Sequence, residues 1–239
     1  MKNDAIKIFE QYISKFNLNN EKVRWKYLHS YRVAFLMEWL ARKLKLSKND
    51  VIVAYILGLF HDIGRFPQLD KYNSYNDLNI DHGDLGYKIL KEEGLLDIVL
   101  DKKALEDVAL GVKYHNKYEV DSKYLSNTYI KMIRDCDKLD ILRAIGEDRF
   151  VEDTEIPEHE DTRKEFYKNM LVKYQEYFNC SDYIILYYSY IYDVNYKEIM
   201  KVIYKEKLLD KINKVLKLED RYKDLVAYAD KYMKEVIKC

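Results

Sequence analysis

Residues that break helices are scarce in this chain, and this scarcity restricts the folds open to it. The 239 residues include seven glycines and two prolines. All-β and doubly wound α/β folds need many turns, and those turns draw on glycine and proline. The composition therefore favours an all-α fold. Because 48% of the residues are hydrophobic, the chain can bury a core.

Apolar residues recur at helical spacing along most of the sequence. One such stripe near the N-terminus consists of Ile6, Phe9, Ile13 and Phe16. Ser47 and Asp81 stand where N-caps are expected, and Gly64 is a candidate C-terminal glycine. By these criteria helices are predicted over residues 3–16, 23–44, 47–64, 83–93, 102–116, 126–145, 163–178, 182–194, 196–217 and 221–237.

Two stretches interrupt the helical pattern. Residues 65–79 are polar, aromatic and rich in asparagine, which predicts a long loop. Residues 146–162 are acidic and contain Pro157, which predicts an exposed connection. No repeat or low-complexity linker divides the chain. We therefore expect a single all-α domain over residues 1–239, with a core at about 21–150 and a C-terminal helical extension at about 160–239.

The longest apolar run, residues 51–60, stops at two adjacent polar side chains, His61 and Asp62. The run predicts a buried helix, since it is shorter than the roughly 20 residues that span a membrane. Burying an imidazole or a carboxylate without a partner is unfavourable. Something near the end of this helix has to satisfy both side chains.

Four of the five histidines precede residue 116, and each lies in or beside a predicted helix. They are His29, His61, His82 and His115. A lone histidine among apolar residues is more often a hydrogen-bonded core residue than a metal ligand. Four histidines on successive helices, together with Asp62 and Asp137, are harder to explain as separate core residues. Periodicity alone does not show that the helices converge.

These residues resemble the HD-domain superfamily of metal-dependent phosphohydrolases. The minimal set of the family is matched by His29 in YLHSYRVA, His61 and Asp62 in LFHDIGRF, and Asp137 in IRDCDKLD. The two further histidines of its dinuclear branch are matched by His82 in IDHGDLGY and His115 in VKYHNKYE. The resemblance spans roughly residues 25–145. It implies an HD-domain helical bundle with additional C-terminal helices.

The resemblance implies two divalent metal ions, bridged by Asp62. The other implied ligands are His29, His61 and Asp137 for one ion, and His82 and His115 for the other. Asp137 is preferred to Asp135 because CDKLD resembles the family pattern ADxLD. Mixed imidazole and carboxylate ligands suit iron, manganese, cobalt, nickel or zinc.

The activity implied by the resemblance is hydrolysis of a small phosphoester, such as a nucleotide. A hydroxide that bridges the ions would attack phosphorus, and the ions would stabilise the phosphoryl oxygens. Asp62 and Arg65 are the candidate catalytic residues. The candidate substrate-binding residues are Arg65, Gln68, Tyr75 and Lys138. For Arg65 and Lys138 the alternative is a solvated surface charge.

Two other functions stay open. Some dinuclear relatives use the same six ligands to cleave C–C or C–P bonds with dioxygen, and a non-catalytic module could sense a nucleotide. Two specific activities are disfavoured. The segment after His115 lacks the second histidine and the Gly-Tyr-Pro signature of relatives that degrade cyclic di-GMP. The tract typical of large nucleoside-triphosphate triphosphohydrolases is not visible either.

The charge balance and the lack of targeting segments limit the partners and the location that we expect. Forty-one basic residues balance 41 acidic ones, which argues against nucleic-acid binding. We expect a small phosphorylated substrate, no nucleic acid and no membrane. Since there is no signal-peptide pattern and the three cysteines form no metal or disulfide pattern, we expect a cytoplasmic protein. The helices after residue 160 could cap the core or form a homodimer surface.

Overall fold

The computed structural model describes residues 1–77, 79–147 and 155–238. In these residues the regular structure is α-helical and 3₁₀-helical, without a strand, which confirms the all-α prediction. None of the described helices is long and apolar enough to cross a bilayer. The chain divides into two compact units, Met1–Asp137 and Lys138–Cys239. This boundary lies inside a helix, earlier than the expected start of the C-terminal extension.

The first unit begins with three long helices that enclose its aromatic core. Its helices are α1 (Lys2–Ile13), α2 (Glu21–Lys43), α3 (Lys48–Phe60), α4 (Arg65–Tyr72), α5 (His82–Glu92), α6 (Lys102–Tyr114) and the first part of α7 (Thr128–Ile145). Phe9 of α1 is fully buried. Its ring centroid lies 5.4 Å from that of Phe60 and 6.1 Å from that of Phe66. Helix α1 therefore covers the end of α3 and the start of α4.

Helices α2 and α3 approach each other backbone to backbone. A Cβ atom on Gly58 would lie 2.6 Å from the Cα atom of Ala34, which is closer than side chains can approach. Gly58 lies one turn before His61. The absence of a side chain at Gly58 thus brings the end of α3 against α2, the helix that carries His29.

Side-chain caps begin two helices where the sequence predicts them. Ser47 Oγ accepts a hydrogen bond from the backbone N–H of Asp50 at 3.2 Å. Asp81 Oδ1 accepts one from the backbone N–H of Asp84 at 2.9 Å. These bonds satisfy amide groups that have no partner within the helix, so the predicted starts of α3 and α5 are confirmed.

The prediction of a loop over residues 65–79 is wrong for its first half, because Arg65–Tyr72 is helix α4. Pro67 lies in the first turn of α4, where a missing N–H removes no helical hydrogen bond. Asn73 ends the helix in the left-handed conformation, with a φ of 48°. Residues 73–81 form the connection to α5, and the one at position 78 lies outside the described residues.

Gly64 does not end α3 as a left-handed C-terminal glycine, because its φ is −74°. Space is what requires glycine there. A Cβ atom would lie 2.2 Å from the carbonyl oxygen of His82 and 2.5 Å from the amide nitrogen of Gly86. Gly64 therefore lets the start of α4 contact the backbone of α5.

The second unit has its own core of apolar and tyrosine side chains. Its helices are the end of α7, α8 (Glu160–Phe166), α9 (Cys180–Ser189), α10 (Lys197–Lys205), α11 (Leu208–Val215) and α12 (Glu219–Lys238), with a 3₁₀ helix at Tyr190–Asp193. Helix α12 is kinked at Tyr222. The rings of Tyr188 and Tyr222 are both fully buried and meet edge to face at 6.0 Å.

Two long helices predicted in this unit are shorter in the structure. The segment 163–178 is helical only to Phe166, and Asn169 beyond it has a φ of 57°. The segment 196–217 is divided by Lys207, with a φ of 51°. Left-handed conformations at residues other than glycine are unfavourable, so a helical pattern does not predict them. The predicted connection over 146–162 includes residues 148–154, which lie outside the described residues.

Glu158 organises a partly buried ionic cluster in the second unit. Its side chain is 8% exposed and accepts hydrogen bonds from Arg163 at 2.6 Å, Arg221 at 2.7 Å and the Tyr222 hydroxyl at 3.0 Å. Burial by itself would raise the pKa of Glu158. Hydrogen bonds from its own backbone N–H and from these side chains outweigh burial, so the pKa lies below its ordinary value.

Candidate metal centre

The six side chains predicted as metal ligands come together in the first unit. They are His29 in α2, His61 and Asp62 directly after α3, His82 at the first position of α5, His115 directly after α6, and Asp137 in α7. All six are buried, and the most exposed of them, Asp137, exposes 9% of its surface. The helices of the first unit therefore converge on one site.

Two of the histidines end the helices that carry them. His61 Nδ1 lies 2.8 Å from the carbonyl oxygen of Gly58, and His115 Nδ1 lies 2.7 Å from that of Val112. The last carbonyl groups of a helix have no amide partner within it, so an imidazole N–H can satisfy one of them. Each bond places the proton on Nδ1 and leaves Nε2 directed into the site.

The first group of ligand atoms surrounds His29. Its Nε2 lies 3.0 Å from Asp137 Oδ1 and 3.2 Å from His61 Nε2. Asp62 Oδ2 lies 3.5 Å from His29 Nε2 and 3.3 Å from His61 Nε2. Four side chains thus direct a nitrogen or an oxygen at one point.

The second group involves the two later histidines. His82 Nε2 and His115 Nε2 are 2.9 Å apart. Asp62 Oδ1 lies 3.4 Å from the former and 3.6 Å from the latter. Asp62 therefore directs one carboxylate oxygen at each group, which is the arrangement that a bridging ligand requires.

The donor atoms are close enough to hold metal ions. Within the groups His29–His61–Asp137 and His61–Asp62–His115, one ligand atom of each residue lies within 4.8 Å of the others. Asp62 Oδ1 is fully buried and has no hydrogen-bond partner among the described residues. A buried carboxylate oxygen of this kind needs a cation or a donor. The imidazole nitrogens and carboxylate oxygens of the site are ligands that suit divalent transition metals.

A family model for the HD domain matches residues 27–142. This stretch of the chain is an HD domain. The match confirms the resemblance to the superfamily of metal-dependent phosphohydrolases and the predicted HD-type helical bundle. It includes all six candidate ligands. No curated protein and no solved structure shows significant similarity to the chain.

A lysine just before the matched residues neutralises the Asp62 carboxylate. Lys26 is 8% exposed, and its Nζ lies 2.5 Å from Asp62 Oδ2. Burial by itself would raise the pKa of Asp62. The Lys26 ammonium and the charge of His61 outweigh burial and hold the pKa of Asp62 well below its usual range.

Burial and the surrounding charges together shift the pKa values of His61 and His82 in opposite directions. Burial disfavours the charged form of His61, but Asp62 and Asp137 outweigh this effect and raise its pKa to about 9. Burial and the Arg65 guanidinium lower the pKa of His82 to about 4. The His61 side of the site thus attracts positive charge. His82 is held as a neutral imidazole with a lone pair on Nε2.

Arg65 lies against the second group of ligands, at the start of α4. It is 7% exposed. Its Nη1 donates to the Gln68 side chain at 2.5 Å and to the carbonyl oxygen of Tyr75 at 2.8 Å, and its Nη2 lies 3.1 Å from His82 Nε2. Its Nε is buried without a hydrogen-bond partner among the described residues and lies 4.0 Å from Asp62 Oδ1. One donor of Arg65 is thus available inside the site.

Gln68 and Tyr75 lie beside Arg65. The Gln68 side chain is fully buried, and its Nε2 donates to the carbonyl oxygens of Asn76 at 3.0 Å and Ile80 at 2.8 Å. In this structure its amide therefore holds the connection between α4 and α5. The Tyr75 ring lies 5.8 Å from the guanidinium carbon of Arg65 and 5.9 Å from Lys26 Nζ. A substrate role for both residues stays a prediction.

Lys138, the fourth candidate substrate residue, belongs to the second unit. Its Nζ lies 2.8 Å from Asp193 Oδ2 and 5.5 Å from the centre of the Tyr190 ring. The side chain is 8% exposed, so it is not a solvated surface charge. Its contact with substrate also stays a prediction.

Sequence reasoning missed two charged residues that touch the centre. Lys26 precedes His29 by three residues on the same helix, so helical spacing could have indicated that both side chains share a face. Asp77 lies in the connection before α5, and both of its oxygens contact His82 Nδ1, at 2.8 and 2.9 Å. A loop has no periodicity from which this contact could have been predicted.

Proposed function

We propose that this protein is a metal-dependent phosphohydrolase that cleaves a small phosphoester and holds two divalent ions in its HD domain. The observation that carries the proposal is the orientation of the Asp62 carboxylate. Its Oδ2 faces His29 and His61, and its Oδ1 faces His82 and His115. A single carboxylate between two histidine pairs suits two adjacent cations.

The charge of such a site favours an anionic substrate. Two divalent ions carry four positive charges, and the carboxylates of Asp62 and Asp137 cancel two of them. Lys26 and Arg65 line the same site and add two positive charges, of which the Asp77 carboxylate beside Arg65 cancels one. A buried site with this excess attracts phosphate oxygens more strongly than exposed charges do, because the surrounding dielectric constant is low.

In the proposed reaction, the metal ions, Arg65 and the histidines have different roles. When bound, the ions would lower the pKa of water and neutralise the phosphoryl oxygens. Arg65 Nε has no hydrogen-bond partner among the described residues and would donate to a phosphoryl oxygen, which orients the ester. The backbone carbonyls that accept from His61 and His115 keep both Nε2 atoms directed at the ions.

The proposed substrate is small and phosphorylated, and a nucleotide is one such compound. The Tyr75 ring beside Arg65 and Lys26 could contact its non-phosphate part. Homodimer formation, the absence of nucleic-acid and membrane partners, and a cytoplasmic location stay predictions from the sequence.

The experiment that tests this function compares the protein with Asp62→Asn, purified without a metal-affinity tag. Bound metals are measured by elemental analysis. Hydrolysis of p-nitrophenyl phosphate, bis-p-nitrophenyl phosphate and a nucleotide panel is then measured with added Mn²⁺, Co²⁺, Ni²⁺, Fe²⁺ or Zn²⁺. We expect nearly two ions per chain and metal-dependent hydrolysis, with both reduced in Asp62→Asn.

Asp70→Asn is the matched control, since Asp70 is an exposed aspartate in α4. It should retain both ions and full hydrolysis. Oxygen consumption by the iron-loaded protein without phosphoester hydrolysis would instead support the dioxygen-dependent cleavage of C–C or C–P bonds. Nucleotide binding without turnover would support a sensing module. Either result would contradict the proposed hydrolysis.

A further inference from the structure

The three histidines at helix ends hold their Nδ1 protons in two different ways. His61 and His115 follow helices and donate to carbonyl oxygens three residues back in their own chain segments. His82 instead begins α5. Helical carbonyl groups point toward the C-terminus, so no preceding turn of α5 offers an acceptor to His82. This histidine needs an acceptor from elsewhere.

Asp77 supplies that acceptor from the connection between α4 and α5. Its Oδ1 and Oδ2 lie 2.8 and 2.9 Å from His82 Nδ1. On the other side of the ring, Arg65 Nη2 donates toward His82 Nε2 at 3.1 Å. Both contacts agree on one tautomer, with the proton on Nδ1 and the lone pair on Nε2.

Asp77 is itself held in place by the residues around it. Its Oδ1 accepts from Gln68 Nε2 at 2.8 Å and from Arg65 Nη1 at 3.0 Å. Its Oδ2 lies 3.4 Å from Asn116 Nδ2, next to His115 in the chain. The carboxylate is therefore fixed by several donors before it orients the imidazole.

We propose that Asp77 is a positioning residue for the second metal ion, the one assigned to His82 and His115. Its carboxylate fixes the ring and the tautomer of His82 and makes Nε2 a more basic ligand. Partners of this kind change metal affinity by about 10- to 100-fold. Among the described residues, Asp77 forms no hydrogen bond with His29, His61 or Asp137, so the first ion keeps its affinity. This inference rests on the two-ion centre proposed above.

The test is a titration of chelator-stripped protein with Mn²⁺ by calorimetry, with bound metal verified after equilibrium dialysis. The protein should bind two ions per chain. Asp77→Ala should bind the first ion as before and the second about 10- to 100-fold more weakly. Asp77→Asn should lie between them, because its amide oxygen can still accept from His82 Nδ1. Asp70→Ala is the control and should match the parent protein.

A double-variant cycle separates positioning from general damage to the connection. His82→Ala should weaken the second ion, and Asp77→Ala added to it should have no further effect on that ion. Circular dichroism of each variant in chelator establishes that it is folded.

Three outcomes would overturn the inference. If Asp77→Ala binds the second ion as tightly as the parent while His82→Ala does not, the positioning role alone is overturned. If the two substitutions act additively, Asp77 works independently of His82, and the same conclusion holds. If the parent protein binds fewer than two ions, the metal centre itself fails, and the inference fails with it.

Discussion

The ammonium of Lys26 lies 2.5 Å from Asp62 Oδ2, the carboxylate oxygen that faces His29 and His61. Both partners are buried. A buried carboxylate is stable only when positive charge compensates it. The Lys26 ammonium therefore compensates the charge of Asp62 at the position where a divalent ion would add more positive charge.

Lys26→Met should destabilise the chelator-stripped protein by about 3 kcal/mol, since breaking a buried ion pair leaves a charge without its partner. Saturating Mn²⁺ should recover most of this loss, because the ion replaces the missing charge. Urea unfolding followed by circular dichroism, with and without metal, measures both values. Lys43→Met, which changes an exposed lysine of the same helix, should have little effect in either condition. An equal loss with and without Mn²⁺ would contradict the explanation.

Asp137→Asn should weaken the first metal ion selectively. Asp137 Oδ1 lies 3.0 Å from His29 Nε2, and a neutral amide is a poorer ligand for a divalent ion than a carboxylate. The affinity of the second ion, which depends on His82 and His115, should change little. Elemental analysis of the variant at limiting Mn²⁺ tests this. Retention of two tightly bound ions would exclude Asp137 as a ligand and return attention to its buried neighbour Asp135.

Gly64→Ala should disrupt the first unit. The added Cβ would lie 2.2 Å from the backbone oxygen of His82 and 2.5 Å from the backbone nitrogen of Gly86. Neither atom can move without shifting α5, so we expect a loss of about 3 kcal/mol or more, or failure to fold.

Gly146→Ala is the matched control for that substitution, because its new Cβ would meet its nearest atoms at 3.5 Å. Its stability should stay within about 0.5 kcal/mol of the parent protein. Thermal unfolding midpoints compare the two variants. A Gly64→Ala midpoint equal to that of Gly146→Ala would show that α4 and α5 are not in backbone contact.

Protonation of Glu158 should make the protein less stable in acid. Its pKa in the folded protein is lower than its ordinary value of 4.5, so the unfolded chain binds the proton first. The stabilisation is therefore complete above about pH 5 and is lost as the pH falls through the folded-state pKa. Glu158→Gln should lower stability at pH 7 and should lose less stability between pH 5 and pH 3.5 than the parent.

Urea midpoints measured at pH 7, 5 and 3.5 test this acid dependence. Glu176→Gln, a change at an exposed glutamate of the same unit, should follow the parent curve. If Glu158→Gln also follows it at every pH, the cluster with Arg163 and Arg221 does not contribute to acid sensitivity.

The features that the sequence predicted correctly depend on short stretches of chain. Ser47 and Asp81 cap helices through backbone amides three residues further along the chain. The six candidate ligands were recognisable because each stands in a short motif at a helix end or within a helix. Helix α4 was missed because residues 65–79 were interpreted together as a polar, aromatic and asparagine-rich loop, although the asparagines begin only at Asn73, where the helix ends. Pro67 lies in the first turn of α4, where it is tolerated.

The features that the sequence did not predict depend on contacts between distant residues. Asp77 became recognisable only when the connection was placed against His82. The helix break at Lys207 needs a left-handed residue that only packing can stabilise. The role of Lys26 was predictable in part. Helical spacing places it on the same face of α2 as His29, but it does not indicate that Asp62, on another element, is its partner.

His61 and His115 each end the helix that positions them. Fraying of the last turn is ordinarily the motion of a helix with the smallest free-energy change. In α3 and α6 that motion would release an imidazole from its carbonyl and turn a ligand away from the site. The ends of these two helices are therefore the places where the centre would first come apart, and an ion bound there would suppress the opening of both.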